Sequence, residues 1–264
     1  MIQFIIPVKS KKVTGSWEKF SKIFERTLKS VANQTSQNFR IIVVCHEKPD
    51  VIFHHPNLEY IHVAFEPPNL KESPQELHDG LKEEDKSKKI LAGVEHSKKY
   101  NSDYLMVVDA DDCISNRIAE FVDINKSQNK PGWFFKKGYI YREGDKLISL
   151  NRDNFNTLCG TCIIIKPELI EGVFKKTPHL LFVHKTTNLP EGHRLEPLPF
   201  PGSIYSMANG ENHYMSQDQI KNLTLSNVFS WRAIKGIVRK LKKYRIQPLS
   251  GSLKEEFGIY TLSN

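Results

Sequence analysis

"YLMVVDADDCIS", Tyr104 to Ser115, decides how this chain is read. Five residues suited to an interior run straight into Asp109, Asp111 and Asp112. A short apolar run bounded by turn residues reads as a buried strand. Carboxylates this close raise one another's pKa unless a cation offsets their charge. A hard divalent ion, Mn²⁺ or Mg²⁺, is the common solution. It prefers oxygen ligands and fills its remaining positions with water and phosphate oxygens. Asp109 and Asp111 are two apart, so an extended or tightly turned segment directs both to one side. This chemistry suggests a nucleotide diphosphate bound through metal. The competing reading is that these aspartates decorate a turn and cap a helix starting near Asn116, since Asp and Ser are good caps.

The surrounding segments place this turn. Ile2–Val8 reads as a buried strand from its β-branched run. Ser16 is set to cap a helix over Trp17–Asn33, whose Phe20, Ile23, Phe24, Leu28 and Val31 form one stripe. Phe39–Cys45 and Leu58–Phe65 read as the second and third strands. The stretch from Glu66 to Ser87 is polar and proline-bearing, and long for a connection; such loops are usually mobile or functional. A helix marked by Ile90, Leu91 and Val94 reaches to Tyr100, and Asp103–Val108 is a fourth strand. A further helix runs from Asn116 to about Ser127. This rhythm predicts an α/β domain with a largely parallel sheet. Ligands of such sheets sit beyond the carboxyl ends of the strands. Asp109, Asp111 and Asp112 fall there, with Lys9, His46 and Glu47. In the second half, Gly132–Leu150 reads as a hairpin turning at Glu143-Gly144-Asp145, and Cys159–Ile165 ends in a short strand before Pro167. From His179 to Tyr214 mostly loop is expected.

Composition narrows the class. The chain has 264 residues, 39% hydrophobic and 26% charged, ordinary for a soluble globular protein. No apolar run is long enough to span a bilayer. The N-terminus reads as a strand, not a secretion signal. Four cysteines are few for a disulfide framework and fit a reducing, cytoplasmic setting. Of the formal net charge of +8, seven charges lie in Phe229–Arg245, a segment without an acid. The rest is nearly neutral, so nucleic-acid binding by the body is not indicated. On a helix, Phe229, Ala233, Ile237 and Leu241 form a stripe flanked by cations, which suits an anionic membrane surface or a docked helix.

Three segments carry a family resemblance. They are "IQFIIPVKS" (Ile2–Ser10), "LKSVANQTSQNFRIIVVCHE" (Leu28–Glu47) and "KKILAGVEHSKKYNSDYLMVVDADD" (Lys88–Asp112). In this order and spacing the chain resembles the GT-A fold glycosyltransferases, family-2-like, over about its first 115 residues. The resemblance implies a GT-A, Rossmann-like mixed sheet, largely parallel and flanked by helices, with a basic C-terminal helix added. It implies a nucleotide-sugar-binding half over 1–115, an acceptor half over 116–226 and a tail over 227–264. The implied activity is metal-dependent transfer of a sugar, hexosyltransferase-like, from a nucleotide-diphosphate donor, UDP-sugar favoured, to a hydroxyl of a glycan or lipid-linked acceptor in polysaccharide biosynthesis. Pro7, Val8 and Lys9 would border base and ribose. Asp109 would approach ribose or metal, Ala110 would lie between, and Asp111 would ligate metal and diphosphate. The family's acid after the second strand is displaced, with Glu47 nearest. Lys86 or Lys89 would reach the phosphates. Glu191 is the expected general base, with Asp218 further on, and His213 would complete the metal site. Gly160 would form a turn by the acceptor. Trp133 and Tyr139 would stack on sugar or fill the core.

Three other readings stay open. A nucleotidyltransferase also uses paired aspartates and metal, but its phosphate loop is glycine-rich, and "VKSKKVTGS" has one glycine. A non-catalytic nucleotide-sugar-binding module would keep the fold without the transfer. The Cys159-Gly-Thr-Cys162 pair suggests redox chemistry, yet a strand signature follows it where a helix N-terminus would lower a thiol pKa.

Overall fold

The structure, a computed structural model, describes residues 1–207 and 243–262. The chain begins with β1 (Ile2–Pro7), buried at every position, then α1 (Trp17–Ala32). The Ser16 side chain caps α1 by accepting from the Lys19 N–H, as its sequence position predicts. β2 (Phe39–Cys45), β3 (Leu58–His62), α2 (His78–Ser97) and β4 (Tyr104–Val107) follow. β1 pairs parallel with both β2 and β4, and β2 with β3. The carboxyl ends of these four strands therefore share one edge. Buried on both faces, β1, β2 and β4 need continuous apolar runs rather than alternation. Gly93 lets α2 approach the sheet: a Cβ there would lie 2.6 Å from Ile5 Cγ2 and 3.0 Å from Val44 Cγ2.

Directly after the acidic turn comes β5 (Cys113–Ile114), then α3 (Ile118–Asn125). β6 (Gly132–Phe134) and, further along, β9 (Ile163–Ile165) extend the first sheet; between them β7 (Gly138–Arg142) and β8 (Leu147–Asn151) form the expected hairpin. β10 (Phe174–Lys176) and β11 (Leu180–Phe182) make a small hairpin against α2. β12 (Glu196–Pro197), β13 (Ser203–Met207), β14 (Tyr244–Pro248) and α4 (Gly251–Phe257) complete the described elements. The first sheet has the order β12-β6-β9-β4-β1-β2-β3, and the second β14-β8-β7-β13-β5. This is a mixed α/β architecture with a mostly parallel central sheet flanked by helices. The acidic turn is the first of several links between the two sheets, leaving β4 of one and entering β5 of the other.

Three elements differ from the sequence reading. α2 begins at His78, twelve residues before its apolar stripe. Its first half is held by charge pairs, Lys88–Glu84 and Lys89–Asp85 among them, which a hydrophobic pattern does not register. β13 lies inside the stretch read as loop. The basic helix expected over Phe229–Arg245 lies largely outside the described residues; of its described end, Lys243 is helical, and Tyr244 and Arg245 belong to β14, paired with β8. The chain beyond is pinned to α1. Fully buried Arg26 donates to Glu143 Oε2 at 2.8 Å and to the Tyr260 carbonyl at 2.9 Å, and Ser30 Oγ donates to the Phe257 carbonyl. Among the described residues no helix is long and apolar enough to cross a membrane.

Candidate active site

A cleft opens at the carboxyl edge of β1 and β4. Pro7, Val8, Lys9, Asp109, Ala110 and Asp111 line it together, as the sequence predicts. Val13, Phe20 and Pro68 add apolar surface, and α2 contributes Lys82, Glu83, Asp85, Lys86 and Lys89. Lys9 also sits over the Phe20 ring at 5.0 Å. The cleft is completed by Tyr205, from β13, whose hydroxyl pKa is raised by burial and then by the nearby acids.

The three aspartates have separate environments. Asp109 is ion-paired with Lys86, Nζ to Oδ1 at 2.5 Å, both side chains about a quarter exposed (22% and 25%). Its backbone N–H donates to Thr161 Oγ1. Its other oxygen packs on Gly160, where a Cβ would lie 2.5 Å from Oδ2 and 3.2 Å from Lys86 Nζ. Asp112 turns inward and is buried. It accepts from Thr161 Oγ1 at 2.7 Å, Cys159 Sγ at 3.2 Å and the Ser206 N–H at 3.3 Å. Burial, with the charges of Asp111 and Asp109, pushes its pKa well above the carboxylate range. Asp111 faces the cleft.

Lys86 answers the repulsion that the bare sequence poses. Burial opposes its charge, but Asp109, Glu83 and Asp111 outweigh it and hold the ammonium pKa above the ordinary lysine value. His184 lies in the same field: burial first, then Lys86, depress its pKa to about 4. Its imidazole is neutral at physiological pH. Lys89, expected on the phosphates, is instead fully buried and paired with Asp85 at 2.6 Å. Burial lowers its pKa and Asp85 opposes that fall.

The other predicted residues fall elsewhere. Glu47 accepts from Ser10 Oγ at 3.0 Å and the Lys11 N–H at 3.1 Å, tying two loops at the edge, and does not line the cleft. Glu191 sits on a turn with φ of 59°, its side chain 85% exposed beside His193, also outside the cleft lining. His213 and Asp218 lie outside the described residues. Trp133 and Tyr139 are buried in the core. Cys159 and Cys162 are free, buried thiols whose pKa burial raises, the opposite of a reactive pair.

Sequence reading missed Asp85, His184 and Tyr205. The signal was present in Lys82, Lys86 and Lys89, spaced by four and three along a helix that the apolar stripe starts too late. Among the described residues no group of three or more His, Cys, Asp or Glu side chains could hold a metal alone. Asp111 on the cleft wall suits a hard ion shared with ligand phosphates rather than a closed protein cage.

No family model matches the chain, and no curated protein matches its sequence. Among known structures, residues 1–349 of S. aureus TarS are similar at 11% identity and TM-score 0.42, over 78% of this chain and 60% of that one. A longer S. aureus TarS structure is similar at 12% identity and TM-score 0.39, over 78% and 37%. The bifunctional IspDF from Campylobacter jejuni is similar at 11% identity and TM-score 0.37, over 83% and 53%. The chain thus spans less than two thirds of each.

Proposed function

We propose that this chain is a glycosyltransferase that uses a nucleotide-diphosphate sugar. One observation carries the reading: Asp109 and Asp111, at the carboxyl end of β4, face the lysines of α2 across a single cleft that β1 also borders. That edge is where parallel sheets bind ligands. The apolar lining suits a base and ribose, and the charged lining suits a diphosphate. In the reaction the bond between the sugar's anomeric carbon and the diphosphate breaks, the diphosphate keeps the electron pair, and the anomeric carbon bonds to an acceptor oxygen, which loses its proton.

Within this reading Asp111 would hold Mn²⁺ or Mg²⁺ together with the diphosphate oxygens, and the ion would stabilise the departing charge. Asp109, by contrast, is occupied by Lys86 and Gly160. It serves to hold the Lys86 ammonium at the cleft wall, where that cation can meet a phosphate oxygen. A glycan or lipid-linked acceptor, a UDP-sugar donor and attachment of the basic 229–245 segment to an anionic membrane remain part of the proposal.

Calorimetry with Mn²⁺ and a panel of nucleoside diphosphates and their sugars tests it. Binding is expected in the wild type and lost in Asp111→Ala with the circular dichroism spectrum unchanged. Turnover is expected to release a nucleoside diphosphate. Release of pyrophosphate would instead identify a nucleotidyltransferase, and absence of any heat would refute the site.

A further inference from the structure

The cleft contains a second charged pair, more deeply buried than Lys86 and Asp109. Asp85 and Lys89 lie one turn apart on α2, with Lys89 Nζ 2.6 Å from Asp85 Oδ2, and their side chains are 7% and 0% exposed. Both line the cleft. Such a pair is weak evidence of a stabilising role, because desolvating two charges can exceed their attraction. Its geometry is also incomplete. Asp85 Oδ1 is buried without a hydrogen-bond partner. The nearest imidazole nitrogen, His46 Nε2, stands 3.7 Å away and is engaged with the Phe65 carbonyl at 2.9 Å. A buried acceptor left unmatched is costly, and it is explained if a ligand brings the donor.

The direction of the cleft says which part of the ligand. Lys86, the next residue on α2, turns to Asp109 at the end of β4, which marks the diphosphate end. Asp85 turns instead toward His46, which follows β2, two strands along. Glu47, the other acid at the end of β2, is committed to Ser10 and Lys11. The geometry points to Asp85 as the residue that reads the nucleobase. Its Oδ1 accepts a ring N–H, and the neighbouring Lys89 ammonium donates to the carbonyl beside that N–H. Uracil and guanine present a ring N–H next to a carbonyl; adenine and cytosine do not. This inference rests on the nucleotide-diphosphate reading of the same cleft.

The test measures calorimetric affinities of the wild-type protein with Mn²⁺ for UDP, GDP, CDP and ADP, and for the ring-N-methylated form of the preferred one (3-methyl-UDP or 1-methyl-GDP). UDP or GDP is expected to bind about 10–100-fold tighter than CDP and ADP, and N-methylation to remove a similar factor. Asp85→Asn presents an amide N–H that suits a bare ring nitrogen, so its preference is expected to move toward CDP. If that variant fails to fold, the wild-type arms decide. Equal affinity for the methylated ligand, or tightest binding of CDP or ADP, overturns the role of Asp85 and leaves the nucleotide site intact. Failure of every nucleoside diphosphate to bind overturns the site itself.

Discussion

Replacing Lys86 by Met probes the electrostatics of the cleft. The ammonium lies 2.5 Å from Asp109 Oδ1, and both side chains are about a quarter exposed. A hydrogen bond to a charged group is worth about 1.5–3 kcal/mol net, and partial exposure favours the lower figure. A loss of about 1.5 kcal/mol corresponds to a fall in Tm of roughly 3–6 °C for a chain of this size. The effect on ligand should be larger than on the fold. Removing a cation from a diphosphate site is expected to weaken nucleoside diphosphate binding about 10–100-fold, with Lys86→Arg restoring part of it. A third readout is independent of ligand. Lys86 helps to depress the His184 pKa to about 4, so an NMR titration of Lys86→Met should show the imidazole titrating at higher pH. The reasoning is refuted if the variant folds, binds nucleoside diphosphates like the wild type and leaves the His184 titration where it was.

Other perturbations reach different parts of the molecule. Gly160→Ala places a Cβ 2.5 Å from Asp109 Oδ2, so the carboxylate must swing; binding or turnover should fall at least tenfold while Tm moves by less than about 4 °C, and normal activity would contradict the packing. His184 takes up its proton near pH 6.5 when unfolded and near 4 when folded. The unfolded state therefore binds more protons across that window, and about 3 kcal/mol of stability is lost as pH falls through it. Urea unfolding of the wild type against His184→Phe should show that difference, and parallel pH profiles would exclude it. Glu143→Gln leaves Arg26 buried without its counter-charge; a loss of about 3 kcal/mol is expected by chemical denaturation, and an unchanged midpoint would show that the ion pair does not hold the fold there.

Legibility in the sequence followed the type of interaction. β1, β2 and β4 were plain because parallel strands buried on both faces must be continuously apolar. The β7–β8 hairpin was plain from its turn residues. The first half of α2 was hidden because charge pairs, not an apolar stripe, hold it, and it carries half of the cleft's charged lining. β14 was hidden because a strand of Tyr, Arg, Ile, Gln and Pro closes a sheet edge without a core pattern. Within the site, position was legible and role was not. Asp109, Asp111 and Asp112 are the same residue type at one strand end, and only their surroundings assign one to Lys86, one to the cleft and one to a buried network.

The charge balance of the cleft gives those three fates a common logic. Four lysines and four carboxylates line it, so it is formally neutral before any ligand arrives. A diphosphate entering alone would place at least two negative charges beside Asp111, Glu83 and Asp85, in surroundings that screen charge less than water. A dication entering alone would meet Asp111 with Lys86 close by, the cation that already neutralises Asp109. Together the two ligands keep the cleft neutral, and each supplies the partner the other lacks. On the proposed reading, then, donor and metal bind as a unit, and by linkage each raises the other's affinity by the same factor. On the same reading, Lys86 would hold Asp109, so that Asp111 would be the carboxylate offered to the ion, and would stand ready to meet a phosphate oxygen.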